Sequence, residues 1–277
     1  MIDRLAKAMR RGATIVFVAL FYGFLFAPLV VVVGASFDGG AHAFLNFPPR
    51  DLSLAWYAKI PARYWETLWT SIQLGLVAAA VSAVLGVMAG LAIVRGRFPG
   101  RAFAAALFRA PLQIPVIVTG FAFLQLFYLV SGATGIQLTG TFAGLALAHA
   151  FITMPYVVGT TVAILHRINP SLEEAAISLG ATRWRAFWRV TLPAILPGVY
   201  AGALYAFIVS FGDVPVSMFL AGTRWTTFPV EMFYGMELNF DPAILAISTI
   251  ILLGSFAAIW LIQRFLGLNV LLGTGGS

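Results

Sequence analysis

The chain has 277 residues, of which 61% are hydrophobic and only 10% are charged, whereas a soluble domain carries about 25% charged residues. So few charges cannot cover the surface of a soluble fold, and we therefore predict an integral membrane protein that crosses the bilayer several times. The formal net charge of +7 fits basic loops on the cytoplasmic side of a membrane better than it fits nucleic-acid binding.

Two absences limit the chemistry of the chain. The sequence contains no cysteine, which excludes disulfides and thiolate metal sites. Its only lysines, Lys7 and Lys59, do not follow a glycine-rich phosphate-binding loop. We therefore expect no catalytic residue, no metal site and no bound cofactor here, so that any ATP driving this protein, with its Mg²⁺, is bound and hydrolysed by another chain.

Six segments are apolar over the roughly 20 residues that a membrane-spanning helix needs. In chain order they cover residues 13–35, 67–94, 106–130, 142–165, 196–220 and 243–264. The first is longer than the core of about 7–15 residues in a signal peptide, so we interpret it as a retained span. In the second, small residues recur at every fourth position and favour close helix packing: Ala78, Ser82, Gly86 and Gly90.

The basic residues are distributed unevenly between the two sides of the membrane. One side receives twelve of them: Arg4, Lys7, Arg10, Arg11, Arg95, Arg97, Arg101, Arg167, Arg183, Arg185, Arg189 and Arg264. The opposite side holds four: Arg50, Lys59, Arg63 and Arg224. Because basic loops stay in the cytoplasm, this asymmetry predicts that both termini and the loop after the fourth span are cytoplasmic.

The stretch NPSLEEAAISLGATRWRAFWRVTLPAIL, residues 169–196, interrupts the apolar sequence between the fourth and fifth spans. It predicts two short helices. Ser171 begins a capping-box pattern, Gly180 is typical of a helix end, and Thr182 is a second candidate N-cap. We expect Pro193 to end the second helix.

Two interpretations of this stretch are open. An amphipathic segment could lie on the membrane surface with its arginines on anionic headgroups. The acidic pair Glu173–Glu174, which a negative leaflet would repel, and the break at Gly180 favour instead a helical hairpin that binds a protein partner.

The pattern Glu174-Ala175-Ala176, then Gly180, then Val190-x-Leu192-Pro193 resembles the EAA loop of permease subunits in ATP-binding-cassette (ABC) importers. In that family the loop docks in a cleft of the ATPase subunit and transmits its closure. The resemblance implies nine residues that couple this chain to an ATPase: Glu173, Glu174, Ala175, Ala176, Gly180, Arg183, Arg185, Leu192 and Pro193.

The similarity continues over residues 52–265, and the stretches APLQIPVIVTG and SFGDVPVSMFL are similar to the spermidine/putrescine branch. It implies an all-α integral membrane protein with the six-helix bundle of a type I ABC importer permease and both termini in the cytoplasm. The implied divisions are an N-terminal part with the first span and a periplasmic loop (1–65), a transmembrane core (66–265) with a coupling loop at 169–193, and a cytoplasmic tail (266–277).

The same resemblance implies an assembly in the bacterial inner membrane. The chain would be a non-catalytic transport subunit that pairs with a second, different permease subunit. Two ATPase subunits carrying ATP and Mg²⁺ would bind inside, and a periplasmic or extracellular solute-binding protein would deliver the solute from outside. The lipid bilayer completes the expected partners, and no nucleic acid is among them.

The cargo is left open by the sequence, with a polyamine favoured by the resemblance. Opines, aminoalkylphosphonates, iron and sulfate are alternatives within the same class. An ion-coupled secondary transporter is a remote alternative, because such proteins need several ionisable groups within the membrane and Asp213 is the one clear candidate.

Asp213 lies in the predicted fifth span, after Gly212 and two residues before the helix-breaking Pro215. An ionised carboxylate there must pair or face water, so either it faces the transport pathway and attracts a cationic amine, or it pairs with a residue on a neighbouring helix or subunit. The resemblance is imperfect here, since many polyamine permeases have a second acid in place of Gly212. Four more residues could line the pathway, although helix packing explains them equally well: Tyr205, Ser210, Phe211 and Met218.

Two other polar residues lie within predicted spans. We expect Arg109, near the cytoplasmic end of the third span, to extend its side chain towards the headgroups. We expect His149, in the fourth span, to be a packed hydrogen-bonding residue, because no acidic residue or cysteine lies near it at metal-ligand spacing.

Overall fold

A computed structural model of the protein describes residues 2–40, 46–237 and 240–266. Within these ranges the chain is helical between short connections, and the sole β-type contact is an isolated antiparallel bridge between Asp38 and Leu52. This agrees with a backbone that must satisfy its own hydrogen bonds in a bilayer. The predicted tail after Leu266 lies outside the described residues.

Twelve α-helices follow one another along the described chain. They are α1 (Ile2–Ala35), α2 (Ala55–Ala58), α3 (Ala62–Arg95), α4 (Arg101–Arg109), α5 (Val116–Thr134), α6 (Phe142–Leu165), α7 (Ser171–Ser178), α8 (Arg183–Ala186), α9 (Leu192–Phe211), α10 (Pro215–Leu220), α11 (Phe228–Glu237) and α12 (Ala243–Leu266). A 3₁₀ turn, Ala110–Leu112, follows α4, and a π-helical turn, Phe187–Thr191, joins α8 to α9.

Six helical segments in the described part of the chain are long and apolar enough to cross a membrane, which confirms the predicted number. They are Met9–Ala35, Ala62–Arg95, Val116–Thr134, Phe142–Leu165, Arg183–Phe211 and Ala243–Leu261. The second extends further at both ends than predicted, and the fourth has the predicted bounds.

The third and fifth spans differ from the prediction. The third was expected over 106–130, but the helix begins at Val116, so Arg109 ends the separate helix α4 and is exposed rather than lying inside the span. Pro111 and Pro115 separate the two helices, because proline cannot donate a backbone hydrogen bond. The fifth was predicted over 196–220 with a local break beside Asp213. The apolar helical segment begins earlier, at Arg183, and its helix ends at Phe211, where the break was predicted.

The described helices form two units. One comprises the described residues up to Ala62 and those between Tyr234 and Leu261, and the other comprises Arg63–Phe233 with residues 262–266. In the first unit, the loop after α1 is organised around Asp38. Its Oδ1 accepts a hydrogen bond from the Arg50 amide (3.1 Å), and its carbonyl accepts one from the Trp56 indole (3.0 Å).

In the second unit, helix α6 packs closely against α3 through the predicted stripe of small residues. Ser82 on α3 hydrogen-bonds with Thr153 on α6 (2.8 Å). One turn further, a Cβ added at Gly86 would lie only 2.8 Å from the Cβ of Val157, and a Cβ at Gly90 would lie 2.8 Å from Thr161. The stripe therefore brings the two backbones together, as small residues do between membrane helices.

Helix α9 packs against α6 in the same way. A Cβ added at Gly198 would lie 2.7 Å from Ile164, and one at Gly202 would lie 2.8 Å from the Cα of Val157. The side chains of Val157 and Ala206 are fully buried between these helices. Helix α6 is thus held by small-residue contacts to both α3 and α9.

We predict that Gly86→Ala destabilises the protein, by about 1–3 kcal/mol, since the added methyl group overpacks the α3–α6 contact. Thermal unfolding of the purified protein in detergent would measure this. The matched control is Gly159→Ala on α6, where an added Cβ meets no atom within 4 Å and where alanine should stabilise the helix by up to about 1 kcal/mol. Equal melting temperatures for both variants would contradict the proposed close contact.

Candidate functional site

The polar stretch between the fourth and fifth spans forms the predicted helical hairpin, α7 and α8, but α7 begins differently from the prediction. Ser171 is the first helical residue rather than the N-cap, and its amide donates to the side-chain oxygen of Asn169 (3.1 Å). The capping-box prediction was therefore wrong. Pro170 occupies the N-cap position with helical dihedral angles and has no side-chain acceptor, so Asn169 supplies the oxygen instead.

Gly180 ends α7, as predicted. It has a φ of +91°, in the left-handed region that glycine enters without steric cost. Its amide donates to the carbonyl of Ile177 (2.9 Å), and the next amide, of Ala181, donates to the carbonyl of Ala176 (3.0 Å). This pair of bonds is the Schellman motif, and it turns the chain sharply between α7 and α8.

Thr182 caps α8, as predicted, because its hydroxyl accepts a hydrogen bond from the amide of Arg185 (3.3 Å). Pro193, however, does not end this helix. The chain passes through the π-helical turn Phe187–Thr191 directly into α9, where Pro193 lies in the first turn. The expectation was wrong because the helix continues into α9 through the π-helical turn, where the amide of Leu192 donates to the carbonyl of Phe187, and a proline in a continuous helix can kink it without ending it.

The nine residues that the resemblance assigns to coupling have different surroundings. Glu174, Ala175, Gly180, Arg183, Arg185 and Pro193 are exposed, whereas Glu173, Ala176 and Leu192 are partly buried. Large apolar side chains of the hairpin also lie in the open, among them Leu172 (55% exposed), Leu179 (89%) and Trp184 (70%). The hairpin therefore presents a mixed apolar and charged surface without protein covering it.

Among the nine residues that the resemblance assigns to coupling, Glu173 points towards the membrane helices. Its carboxylate pairs with the guanidinium of Arg95 at the end of α3 and accepts a hydrogen bond from the Thr191 hydroxyl (2.6 Å). Arg95 and Thr191 were not predicted as partners, because nothing in the sequence indicates a contact between residues so far apart along the chain.

The predicted break beside Asp213 is present. Helix α9 ends at Phe211, α10 begins at Pro215, and the residues between them are not helical. His149 on α6 joins the two sides of this gap: its Nδ1 lies 2.7 Å from the hydroxyl of Ser210 on α9, and its Nε2 lies 3.1 Å from that of Ser217 on α10. His149 is thus a buried, hydrogen-bonded residue, as expected.

The carboxylate of Asp213 faces this cluster. It accepts hydrogen bonds from the amide (2.9 Å) and the hydroxyl (3.1 Å) of Ser217, so it caps the start of α10, and it lies 3.8 Å from Nε2 of His149. Since the Ser217 hydroxyl donates to the carboxylate, it accepts from Nε2 of His149, and in the neutral imidazole Nδ1 then accepts from Ser210. We refer to His149, Ser210, Asp213 and Ser217 as the break cluster.

The break cluster is closed to solvent, with Asp213 only 6% exposed. This geometry agrees with the second role open for Asp213, pairing with a neighbouring helix. Ser217 was not singled out from the sequence, since it lies four residues after Asp213, one more than the spacing from an N-cap to N3. The facing position of His149 carries no local signal either.

The other predicted pathway residues lie around α9 and α10 rather than in one group. Ser210 belongs to the break cluster. Tyr205, eight residues before Asp213, is 57% exposed and stacks on Tyr156 of α6 with ring centroids 6.4 Å apart. Phe211 stacks on Phe207 at 5.8 Å, and Met218 is partly buried on α10. Their role in a pathway stays a prediction.

Comparison with known proteins defines the class of the chain. The family of binding-protein-dependent transport system inner membrane components matches residues 82–266, more than half of the sequence, and the chain belongs to this family. It is therefore a multi-pass protein of the inner membrane, and the resemblance to ABC importer permeases is confirmed.

Two curated relatives and one solved structure show how far the similarity extends along the chain. It is 32% identical over 241 residues to the putrescine transport system permease protein of Escherichia coli K12, covering 86% of this chain and 85% of that protein. It is 34% identical over 221 residues to the sulfate transport system permease protein of the same strain, covering 73% and 79%. In fold it matches a bacterial ABC transporter that imports the acidic polysaccharide alginate, with a TM-score of 0.74 at 16% identity, covering 94% and 97%.

We predict that His149→Leu, which conserves size but not hydrogen bonding, destabilises the protein by about 2–4 kcal/mol, because the buried hydroxyls of Ser210 and Ser217 lose their common partner. The melting temperature in detergent should fall by several degrees. His166→Leu, at the exposed C-terminal end of α6, is the matched control and should leave it unchanged. A wild-type melting temperature for His149→Leu would show that the cluster does not hold the break.

Proposed function

We propose that this chain is the permease subunit of an ATP-driven importer that moves a small solute across the inner membrane while separate chains hydrolyse the ATP. The observation that carries this proposal is the hairpin α7–α8, placed between two membrane-spanning helices. A membrane protein without an ATPase partner would have no evident use for a polar hairpin with exposed apolar side chains between two of its spans.

The surface of the hairpin supports docking of a protein partner. Leu172 on α7 and Leu179 at its C-cap are exposed, although removing such side chains from water is favourable. Glu174 and Arg185 are exposed beside them and can pair with charges on a partner. Because exposed apolar side chains among charges mark interaction surfaces, we propose that α7 inserts into a cleft of the ATPase on the cytoplasmic side. The arginine distribution predicts that both termini lie on that side as well.

The rest of the assembly follows from the family. Its members are described as components of binding-protein-dependent transport systems, which supports delivery of solute by a separate binding protein outside the membrane. We propose one solute-binding protein, two ATPase subunits and a second, different permease subunit, so that this chain forms half of the transport pathway. Alternating access would then follow from closure of the ATPases, since a ligand alone shifts a conformational equilibrium only by its differential affinity.

For the cargo we propose a polyamine such as putrescine. The similarity to the putrescine permease over 86% of the chain supports it, as do the residues between Ser210 and Leu220 that resemble that branch. Sulfate is the second candidate, favoured by 34% identity to a sulfate permease over a shorter part of the chain.

We propose that Asp213 contributes to transport through the break that it caps. Its carboxylate accepts hydrogen bonds from Ser217 and lies near His149, so we propose that it holds α9 and α10 at a fixed angle. Helix breaks held by polar side chains are where transporters present backbone groups to substrates. The alternative, direct attraction of a cation, requires Asp213 to leave these partners.

We predict that Gly180→Asp abolishes co-purification of the ATPase. A side chain at φ +91° costs about 1–2 kcal/mol, which opens the turn between α7 and α8 and misaligns the hairpin. The matched control is Gly135→Asp, which adds the same charge at a left-handed glycine that ends α5 (φ +76°), and it should co-purify with the ATPase as the wild type does. Normal co-purification of Gly180→Asp would refute docking through the hairpin.

We predict that the complete importer, reconstituted in proteoliposomes with its ATPase and binding protein, takes up putrescine only when ATP is enclosed. Unlabelled spermidine should compete and sulfate should not. Asp213→Asn keeps an acceptor oxygen for Ser217, so uptake should stay within about threefold of the wild type, a change below 1 kcal/mol.

The opposite results are equally clear. Sulfate uptake without putrescine uptake would replace the proposed cargo, while leaving the importer class in place. A drop of more than about tenfold for Asp213→Asn, with the complex still assembled, would assign the carboxylate to direct contact with the cation. ATP-independent uptake would overturn the importer proposal itself.

A further inference from the structure

Glu173 and Glu174 are adjacent on α7, but their side chains have different surroundings. Glu174 is exposed, whereas Glu173 is partly buried, with 23% of its side chain exposed against 31% for its partner Arg95. Successive residues on an α-helix point about 100° apart, so one helix can offer one acid to a partner and turn the other towards its own protein. Adjacency in the sequence therefore does not give Glu173 and Glu174 the same function.

The inward acid joins three separate elements. One oxygen of Glu173 on α7 pairs with the guanidinium of Arg95, the last residue of α3, and accepts the Thr191 hydroxyl at 2.6 Å. Arg95 also lies 3.3 Å from the Thr191 oxygen. Thr191 is 1% exposed and is the last residue of the π-helical turn from which α9 starts. We call these three residues the tie.

Little else in α7 is anchored. None of its eight residues is buried, and Leu172 is exposed. A charge-assisted hydrogen bond that reaches a buried hydroxyl holds more strongly than an exposed ion pair. The tie is therefore a principal attachment of α7 to the membrane helices, besides the chain on either side of it.

The position of the tie is suited to transmitting movement. It acts on the end of α3 and on the π-helical turn at the start of α9, and π-helical turns are places where a helix departs from its regular hydrogen-bond pattern. Helix α9 carries Ser210 of the break cluster at its other end. A displacement of α7 would therefore act on the end of α9 opposite to the one that borders the break.

We propose that Glu173 is a positioning residue that transmits movement of α7 to α3 and α9 through Arg95 and Thr191, and that it is not itself a contact to the ATPase. This inference rests on the proposed importer function. It changes the role implied for Glu173 by the family pattern, while Glu174, exposed on the same helix, keeps a role in docking.

The test uses the complete importer in proteoliposomes, with putrescine as the probe, or sulfate if the wild type takes up sulfate. Three quantities are measured for each variant: ATPase co-purification, ATP hydrolysis and solute uptake. We expect Glu173→Ala and Arg95→Ala each to lower uptake about tenfold, while ATPase co-purification stays at the wild-type level and ATP hydrolysis changes by less than about twofold. The number of solute molecules moved per ATP should fall accordingly.

Two further variants separate the tie from a folding defect. The double variant Glu173→Ala/Arg95→Ala should be no worse than either single variant, because contacting residues are not additive. Thr191→Val, which conserves shape, should lower the solute-to-ATP ratio without lowering the melting temperature by more than a few degrees. Glu174→Ala is the matched control for the neighbouring acid and should reduce ATPase co-purification instead.

Three outcomes would contradict the proposed role of the tie. In the first, Glu173→Ala loses ATPase co-purification to the same extent as Glu174→Ala. In the second, uptake per ATP is unchanged in Glu173→Ala and Arg95→Ala, and in the third the losses add in the double variant. Each presupposes that the wild type co-purifies with an ATPase and transports. If the wild type does neither, the importer proposal fails first, and the two failures are thereby distinguished.

Discussion

A backbone group that leaves a helix inside a membrane protein needs a hydrogen-bond partner from the protein, because hydrocarbon supplies none. The gap between α9 and α10 meets this requirement with side chains: Asp213 caps the amide of Ser217, and His149 spans from Ser210 to Ser217. Burying the side chains of Ser210, Asp213 and Ser217 would cost free energy if they lacked hydrogen-bond partners. With His149 they form a closed network that fixes one geometry for the break.

The close approach of α6 to its neighbours is what allows His149 to reach that break. Gly86 and Gly90 bring α3 against α6, and Gly198 and Gly202 bring α9 against it. Between membrane helices the hydrophobic effect contributes little to association, so packing and interhelical hydrogen bonds must supply the stability. The hydrogen bond of Ser82 with Thr153 lies in the same interface and extends the polar contacts of α6 beyond the break cluster.

The hairpin α7–α8 is held differently, because it buries few side chains of its own. The Schellman turn at Gly180 and the Thr182 cap satisfy its helix ends locally, and the pairing of Glu173 with Arg95 attaches it to the membrane helices. With its ends capped locally and Glu173 paired to Arg95, the hairpin keeps the exposed side chains of Leu172, Glu174 and Leu179 available to a partner. Membership in the family of binding-protein-dependent transport components agrees with such an arrangement.

The sequence by itself determined the six spans, the hairpin, its glycine turn and the helix break at Asp213, because apolar length, proline and glycine act through local backbone physics. The predictions from sequence were wrong about where the third span starts, which residue caps α7, and whether Pro193 ends a helix. Local patterns do not say which residue occupies the first turn of a helix. Only the tertiary structure decided that Glu173 meets Arg95 and that His149 meets Ser217. Such pairings join residues far apart along the chain, and they depend on which helix faces pack together rather than on any local pattern.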